Sequence, residues 1–237
     1  MFKLNVGVVL GIVLFAAPAW SSIITVSNFS FESPLLVSGA PNVVTDRGLY
    51  EFGNLMSGGD IPGWHTTTGA STAGIFAPNS TQTLYTPDVV SPVATGATGV
   101  PNGFQVLFLQ PGGSIYQNLT PIAGDGHYQV TVDVGHRSDV LSGAYSIILS
   151  SGITELARFD GNISSIARGA WAQETFTYNG AATPSSLKLT LTAAADNQVA
   201  FDNVQVDAAP EIGGSSVFWT MIGVAGFWIY RRKRLVA

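Results

Sequence analysis

The sequence predicts an all-β domain, built as a two-sheet antiparallel β-sandwich with jelly-roll topology. Apolar stretches are short, turn residues separate them, and no stretch keeps a 3.6-residue period. Several stretches instead alternate apolar and polar residues, which is typical of strands that bury one face. About eight such stretches lie in residues 22–207, enough for two packed sheets.

The predicted strands follow one another along the chain. Residues 23–31 and 199–206 supply the terminal strands, and residues 104–109 are apolar almost throughout, as in a central strand covered on both faces. Residues 128–134 form the clearest strand, because Tyr128 and three valines alternate with Gln129, Thr131 and Asp133. The same alternation predicts strands at residues 145–149, 175–178 and 187–192. Residues 38–103 show little periodicity and are predicted to form long loops, which in a compact domain are usually functional or mobile.

The N-terminal residues 1–19 are predicted to be a signal peptide. Lys3 supplies the positive start, residues 6–16 form an apolar run, and Ala17-Pro18-Ala19 is a small-x-small cleavage signal. Cleavage is expected after Ala19 or two residues later. The alternative is an uncleaved N-terminal anchor, which the short apolar run disfavours.

The C-terminal residues 208–237 are predicted to carry a transmembrane helix. Residues 212–230 are apolar or small, and at about 1.5 Å per residue they would form a helix of about 28 Å, close to the hydrocarbon thickness of a bilayer. A basic cluster follows directly and is expected to stay in the cytoplasm; it consists of Arg231, Arg232, Lys233 and Arg234. An ordinary membrane anchor explains these features equally well.

The same layout resembles the PEP-CTERM sorting signal of Gram-negative bacteria, in which a Pro-Glu-Pro motif, a short helix and an Arg-rich end are cut by an exosortase. Here the motif reads Pro210-Glu211-Ile212, so Ile212 replaces the second proline. The resemblance implies an exosortase-type processing enzyme as a partner. It also implies an inner-membrane precursor facing the periplasm, and a mature protein at the cell surface or in the extracellular matrix.

Composition and charge exclude several classes of site. The chain has no cysteine, which excludes disulfides, thiolate metal sites and cysteine nucleophiles. Five of the ten Lys and Arg residues lie in the two ends, with one of the fifteen Asp and Glu residues, so the domain between them carries a net charge of −9. A domain with that charge repels nucleic acid, and no nucleic-acid partner is expected.

Five short segments resemble the galactose-binding-like sandwich, which is found in many carbohydrate-binding modules. Residues 26–32 open the domain and residues 200–206 close it, with residues 61–64, 103–106 and 115–119 between them. The resemblance implies a carbohydrate-binding fold. It also implies a structural Ca²⁺, held by a glutamate near the first strand and an aspartate in the last. Glu32 and Asp202 occupy those positions.

The residue pattern itself leaves two orientations open for Asp202. Asp202, Val204 and Val206 are spaced two residues apart, so in a regular strand they share one face and the carboxylate of Asp202 points toward the core. A core carboxylate is costly unless it is paired or metal-bound. A bulge at Asp202-Asn203 would instead turn Asp202 to the other face. Solvated or hydrogen-bonded carboxylates are the alternative to calcium.

Aromatic residues suggest a place for a sugar ring. Trp64 follows Ile-Pro-Gly and precedes His65, so it can form a stacking platform flanked by Tyr50, Phe52 and Tyr85. The alternative is that Trp64 covers the edge of the core. Arg137 and Asp139 follow the clearest strand and are predicted to form a surface ion pair.

No catalytic motif is present in the sequence, and the three histidines are scattered. The leading hypothesis is therefore an exported, non-catalytic surface or matrix protein that binds carbohydrate, with exopolysaccharide as the expected ligand. A structural envelope or matrix component without a small ligand is the first alternative. A polysaccharide hydrolase is the second.

Overall fold

The computed structural model describes residues 22–40, 42–45, 48–53, 60–67, 72–78, 85, 99–123, 126–180, 182–195 and 198–208. All of these residues belong to one compact unit, Ser21–Pro210. The predicted signal peptide, the predicted transmembrane helix 212–230 and the sorting residues Pro210, Glu211, Arg231, Arg232, Lys233 and Arg234 lie outside the described residues. Within them, no helix is long and apolar enough to cross a membrane.

Thirteen strands form in the described part of the chain, and their pairing divides them into two sheets. The larger, eight-stranded sheet contains β1 (Ser22–Ile24), β2 (Val44–Thr45), β3 (Gly48–Phe52), β5 (Ala73–Pro78), β6 (Val106–Leu109), β8 (His127–Gly135), β11 (Trp171–Asn179) and β13 (Val199–Ala208). The five-stranded sheet contains β4 (His65–Thr66), β7 (Ser114–Leu119), β9 (Ala144–Ser151), β10 (Thr154–Asn162) and β12 (Leu187–Ala193). A short 3-10 turn, Ile163–Ser165, follows β10.

Strand order places the chain ends of the domain side by side. The larger sheet runs β11-β8-β13-β6-β5-β3-β2, and β1 also pairs with β13; the smaller sheet runs β10-β9-β12-β7-β4. The first residues of β13 pair with β6, and its last residues pair with β1, where Ser22 lies opposite Ala208. These pairs are antiparallel, so the prediction of a two-sheet antiparallel sandwich is confirmed.

The main core lies between the two sheets and follows the predicted alternation. On β8, Tyr128, Val130, Val132 and Val134 are fully buried, and Leu187, Leu189 and Leu191 of β12 are buried in the same cluster. Burying one such side chain fully contributes about 1.5–3 kcal/mol relative to leaving it exposed. The core therefore holds the sheets together without disulfides.

A second apolar cluster covers the outer face of the larger sheet. It contains Phe76, Tyr85, Val100, Val106, Phe108, Trp171 and Ala200, with Tyr50 and Phe52 packed against it. Along β6, Leu107 and Leu109 belong to the main core, whereas Val106 and Phe108 belong to this outer cluster. The prediction that residues 104–109 hold a strand covered on both faces is confirmed for β6.

Several elements differ from the prediction. The first strand ends at Ile24 rather than near residue 31, because the chain turns at residues 27–30 and Asn28 and Phe31 adopt positive φ. Four strands, β2 to β5, lie in the region predicted to be loops, and β7 and β10 add to the predicted set. Strands of two residues, such as β2 and β4, are too short to show a period. In β10 a register shift between Glu155 and Ala157 interrupts the alternation.

Candidate functional site

A cavity of about 180 Å³ opens on the outer face of the larger sheet. We call it the aromatic cavity; the described residues that line it are Tyr50, Phe52, Phe76, Phe108, Gln110, Arg137 and Gln198. These residues come from the neighbouring strands β3, β5 and β6 and from the chain just outside β6, β8 and β13. Pairing across the sheet therefore gathers side chains that lie almost 150 residues apart at the extremes, from Tyr50 to Gln198.

Three aromatic rings in the cavity meet edge to face. The ring centroids of Phe52 and Phe108 are 5.4 Å apart, those of Tyr50 and Phe52 are 5.8 Å apart, and those of Tyr50 and Phe108 are 6.1 Å apart. Edge-to-face arrangements are the favoured geometry for aromatic pairs. The rings thus form a stable apolar wall rather than three independent side chains.

Gly74 leaves the space next to its backbone that the Phe108 ring occupies. A Cβ at this position would come within 2.5 Å of the Phe108 ring and 2.4 Å of the Glu51 carbonyl oxygen. The two residues face each other across β5 and β6. Any larger residue at this position would have to displace the Phe108 ring, which lines the cavity, and the β3 backbone at Glu51.

The polar side of the cavity is organised by Arg137. Its Nε and Nη2 donate to the two carboxylate oxygens of Asp139 at 3.0 and 2.8 Å, and its Nη1 donates to the side-chain oxygen of Gln198. The guanidinium lies 5.8 Å from the centroid of the Phe76 ring. The predicted ion pair between Arg137 and Asp139 is present, and it holds the one charged residue that lines the cavity among the described residues.

The arrangement can bind a small ring of mixed polarity. Aromatic walls bury an apolar face, while the amides of Gln110 and Gln198 and the guanidinium offer hydrogen bonds. The cavity is smaller than the roughly 300–1,000 Å³ of pockets that hold drug-sized ligands. It therefore suits a single ring or the end of a chain.

Two of the predicted ligand-binding residues lie on this face of the sheet. Tyr50 lines the cavity directly. Tyr85 is 4% exposed and its ring lies 4.9 Å from that of Trp171 in the outer cluster. Burial raises the pKa of Tyr85, and within the described part of the chain its hydroxyl is buried without a hydrogen-bond partner.

The other two predicted ligand-binding residues, Trp64 and His65, do not line the aromatic cavity. Trp64 is 1% exposed, its ring lies 5.5 Å from that of Phe31, and its Nε1 donates to the Asn28 carbonyl at 3.4 Å. The prediction of an exposed Trp64 platform is therefore wrong, and the alternative core position is the one observed. His65 lies on β4 of the smaller sheet, exposed, with its Nδ1 at 3.2 Å from Asp60. The four residues do not form one site.

Most of the cavity was not identified from the sequence. Phe76, Phe108, Gln110 and Gln198 were not predicted as ligand-binding residues. Phe108 carried a usable signal, because it is an aromatic residue on a strand predicted to be covered on both faces. Gln198 carried none, since only the pairing of β13 with β6 brings its neighbourhood to the cavity.

The predicted metal residues Glu32 and Asp202 hold the same loop. Asp202 accepts a hydrogen bond from the Asn102 amide at 2.9 Å, and Glu32 accepts from the amides of Phe104 and Gln105, each at 2.8 Å. Gly103, with φ of +71°, sits against the Glu32 carboxylate, where a Cβ would come within 2.3 Å of Oε1. The structure thus brings the two predicted residues to neighbouring positions of one loop.

A bulge decides the orientation of Asp202. The β8–β13 register shifts between Asp202 and Gln205, and Asn203 adopts a φ of 48°. Phe201 and Val204 both belong to the main core, so Asp202 lies on the opposite face of the strand. It is nevertheless fully buried. Of the two orientations left open by the sequence, the bulged one is observed.

Asp133 joins this acidic group. Its carboxylate accepts from the side chains of Gln173 at 3.2 Å and Asn203 at 3.0 Å. Burial raises the pKa of Asp133, and it raises the pKa of Asp202 well above the ordinary value, against the backbone hydrogen bonds that lower it. The charges of Asp133 and Glu32 add to the rise at Asp202. Within the described residues, no group of three or more His, Cys, Asp or Glu side chains is arranged to hold a metal.

Comparison with solved structures finds similar sandwiches at low identity. An arabinose-bound α-L-arabinofuranosidase, MgGH51, matches with a TM-score of 0.44 and 15% identity over 80% of this chain, which spans 27% of that enzyme. TmCBM61 in complex with β-1,4-galactotriose matches with a TM-score of 0.42 and 11% identity, over 60% of this chain and 86% of that module.

The CBM22-1 xylan-binding domain of Xyn10C from Paenibacillus barcinonensis matches with a TM-score of 0.40 and 12% identity, over 69% of this chain and 96% of that domain. Similarities at this level do not assign a function. No curated protein sequence matches the chain.

A family model covers nearly all of the described domain. The model of the HpiC1-like family, described as HpiC1 cyclase, matches residues 22–207. Its limits coincide with the start of β1 and the penultimate residue of β13. The chain therefore belongs to the HpiC1-like family.

Proposed function

We propose that this is a non-catalytic carbohydrate-binding domain and that the aromatic cavity is its binding site. The observation that carries the proposal is the composition of the cavity wall, in which aromatic rings lie beside two amides and a guanidinium held in place by Asp139. Sugar rings have an apolar face and a rim of hydroxyl groups, and such a wall complements both. The expected ligand is a chain end or a single residue of an exopolysaccharide.

Titration calorimetry with the full-length protein in detergent tests this proposal. A set of neutral mono- and oligosaccharides should include at least one that binds wild type, and Tyr50→Ala should weaken that binding at least tenfold. The matched control is Tyr116→Ala, because Tyr116 lies on β7 in the other sheet, beside His65. Equal loss in both variants, or no sugar binding by folded wild type, contradicts the proposal.

The proposed setting is outside the cell. We infer export from the signal peptide 1–19 and sorting from the PEP-CTERM-like end, with exosortase and the membrane as transient partners. Mass spectrometry of the surface fraction tests this: mature protein should lack Arg231 to Arg234. An intact C-terminal Leu235-Val236-Ala237 on most molecules would mean simple anchoring. The jelly-roll, galactose-binding-like assignment of the sandwich is likewise part of this proposal.

A structural Ca²⁺ held by Glu32 and Asp202 is a further part of the proposal. Charge supports it, because Asp202 is fully buried, Asp133 lies opposite, and Glu32 is close enough to raise the pKa of Asp202. A bound cation would offset the cost of burying these carboxylates. Backbone oxygens would have to complete the shell, and Glu32 would have to share the oxygen that now accepts from loop amides.

Family membership favours one second candidate, a ring-closing enzyme. The matching model is described as a cyclase, and the aromatic cavity would then enclose an apolar substrate. A neutral, apolar fluorescent probe such as N-phenyl-1-naphthylamine separates the two candidates. Probe binding that Phe108→Ala removes and that no sugar displaces would favour the enzyme. Displacement by a sugar would favour the carbohydrate-binding domain.

A further inference from the structure

We propose that the aromatic cavity selects neutral sugar rings over anionic ones, and that Asp139 sets this selectivity by neutralising Arg137. The inference rests on the proposed carbohydrate-binding function and names its ligand class. A lone arginine in a sugar site would normally indicate the opposite, namely recognition of a uronic acid or a sulfated sugar, because guanidinium pairs with carboxylate and sulfate oxygens.

Every nitrogen of Arg137 already has an acceptor. Nε and Nη2 form a two-pronged bond with Asp139, and Nη1 donates to Gln198. The side chains of Arg137 and Asp139 are only 20% and 27% exposed. Water therefore screens this pair less than a fully exposed one, and the geometry is the bidentate form that binds most strongly. An anionic sugar would have to displace Asp139 to use the same edge of the guanidinium.

The charges around the cavity also favour neutral ligands over anionic ones. Arg137 is the one charged side chain that lines the cavity within the described residues, and its pairing with Asp139 leaves that wall with no net charge. An added carboxylate would instead meet the field of Asp139 and of a domain that is strongly acidic overall. A neutral ring meets no such penalty.

Arg137 has a second effect on the ligand, through Gln198. Arginine can only donate hydrogen bonds, so the amide of Gln198 must turn its oxygen toward Arg137. The amide nitrogen then points away from Arg137 as a donor. A donor at the cavity wall suits a hydroxyl or ring oxygen, which every sugar ring supplies.

Two glycosides of the same shape test the selectivity. Methyl glucoside and methyl glucuronide differ at one position, where a hydroxymethyl group is replaced by a carboxylate. Calorimetry with the full-length protein in detergent should give wild type at least tenfold weaker binding of the glucuronide. Asp139→Asn keeps the shape of the side chain and frees the charge of Arg137, so the ratio of glucuronide to glucoside affinity should rise about tenfold in this variant.

Salt and a double variant identify the cause. The gain in glucuronide affinity caused by Asp139→Asn should shrink as ionic strength rises, and it should vanish when Arg137→Gln is added. Glu155→Gln is the matched control, because Glu155 pairs with Arg158 at 3.1 Å on β10 of the other sheet. It removes the same charge without touching the cavity, and both affinities should stay at the wild-type level.

Each outcome decides the inference. Glucuronide binding by wild type as tight as glucoside binding overturns it, and so does an unchanged preference in folded Asp139→Asn. If that variant does not fold, Asp139→Ser carries the same expectation. Absence of binding by both glycosides to folded wild type overturns the inference as well. Other neutral sugars then distinguish the two failures, because the proposed function fails only if none of them binds.

Discussion

Asp133 and Asp202 lie directly opposite each other on β8 and β13, and both side chains are fully buried. Each carboxylate accepts two hydrogen bonds, Asp133 from the side chains of Gln173 and Asn203, and Asp202 from the backbone amides of Asn102 and Asn203. Hydrogen bonds alone do not remove the cost of burying two like charges side by side. The pair is therefore a site where stability depends on protons or on a bound cation.

The first prediction concerns pH. Burial raises the pKa of Asp133 and of Asp202 above 3.8 in the folded protein. The folded state then holds these protons more tightly than the unfolded chain. The contribution of the pair to the free energy of unfolding is fully present below pH 3.8, and it is lost as the pH rises through the folded-state pKa. In chelator, the melting temperature should be higher at pH 5 than at pH 7.

Melting curves in this window separate the pair from the carboxyl groups whose pKa values are lowered, and the Asp133→Asn variant separates it from Glu51. Asp60 and Asp160, whose pKa values are lowered, titrate below 3.8 and do not contribute above pH 5. Glu51 acts in the same direction as the pair, because burial raises its pKa too. Asp133→Asn should flatten the pH dependence. A wild-type melting temperature that falls from pH 7 to pH 5 contradicts the prediction.

The second prediction concerns calcium. If Ca²⁺ binds the folded state at Glu32 and Asp202, a free concentration of 100 times the dissociation constant adds about 2.7 kcal/mol to the free energy of unfolding. Chelator should then lower the melting temperature at pH 7, and Asp202→Asn should remove most of that response. Asp160→Asn, an exposed carboxylate on β10, is the control. Identical melting curves for metal-loaded and chelated wild type would contradict the proposed calcium site.

The third prediction concerns His136, which joins two loops. It is 2% exposed, with Nδ1 at 2.7 Å from the Ile166 carbonyl oxygen and Nε2 at 2.9 Å from that of Val140. His136→Ala should lower the free energy of unfolding by about 2–5 kcal/mol, because it opens a cavity and removes the ring that lies within hydrogen-bond distance of both carbonyl oxygens. His65→Ala should cost under about 1 kcal/mol, since His65 is exposed. Chemical unfolding measures both, and equal effects would contradict the assignment.

The fourth prediction concerns Gly74. Because a Cβ there meets the Phe108 ring and the Glu51 carbonyl oxygen, Gly74→Ala should cost about 1–3 kcal/mol of stability and weaken any ligand of the cavity. Gly53→Ala is the control, because a Cβ at Gly53 would come no closer than 3.1 Å to its nearest neighbour, the Ile61 side chain, compared with 2.4 Å at Gly74. Unchanged stability and ligand affinity in Gly74→Ala would show that the cavity does not depend on this contact.

The fifth prediction separates core from site. Trp64→Ala should lower the free energy of unfolding by about 3–5 kcal/mol, because the ring is buried against Phe31. Sugar affinity of the fraction that stays folded should be unchanged. Thermal melting and calorimetry below the melting temperature give the two values. A loss of sugar affinity larger than that caused by Tyr50→Ala would show that Trp64 belongs to the binding site.

Sequence alone determined the class of fold and its main core. The alternation in β8 and β12 assigns each residue to a face without reference to any other strand, because side chains of a strand point alternately to its two sides. The resemblance to the galactose-binding-like sandwich singled out Glu32 and Asp202, and the local sequence predicted the ion pair of Arg137 with Asp139. The faces of the strands and the ion pair depend on local pattern, which a sequence displays directly.

Only the tertiary structure decided which residues share a site. The register of β3, β5, β6 and β13 gathers Tyr50, Phe108 and Gln198 around one cavity, and a bulge places Asp202 on the face away from the main core. The same packing buries Trp64. Register and bulges depend on contacts between distant segments, and a shift by one residue would exchange the two faces of a strand. No local pattern contains that information, so the composition of the site follows only from the folded chain.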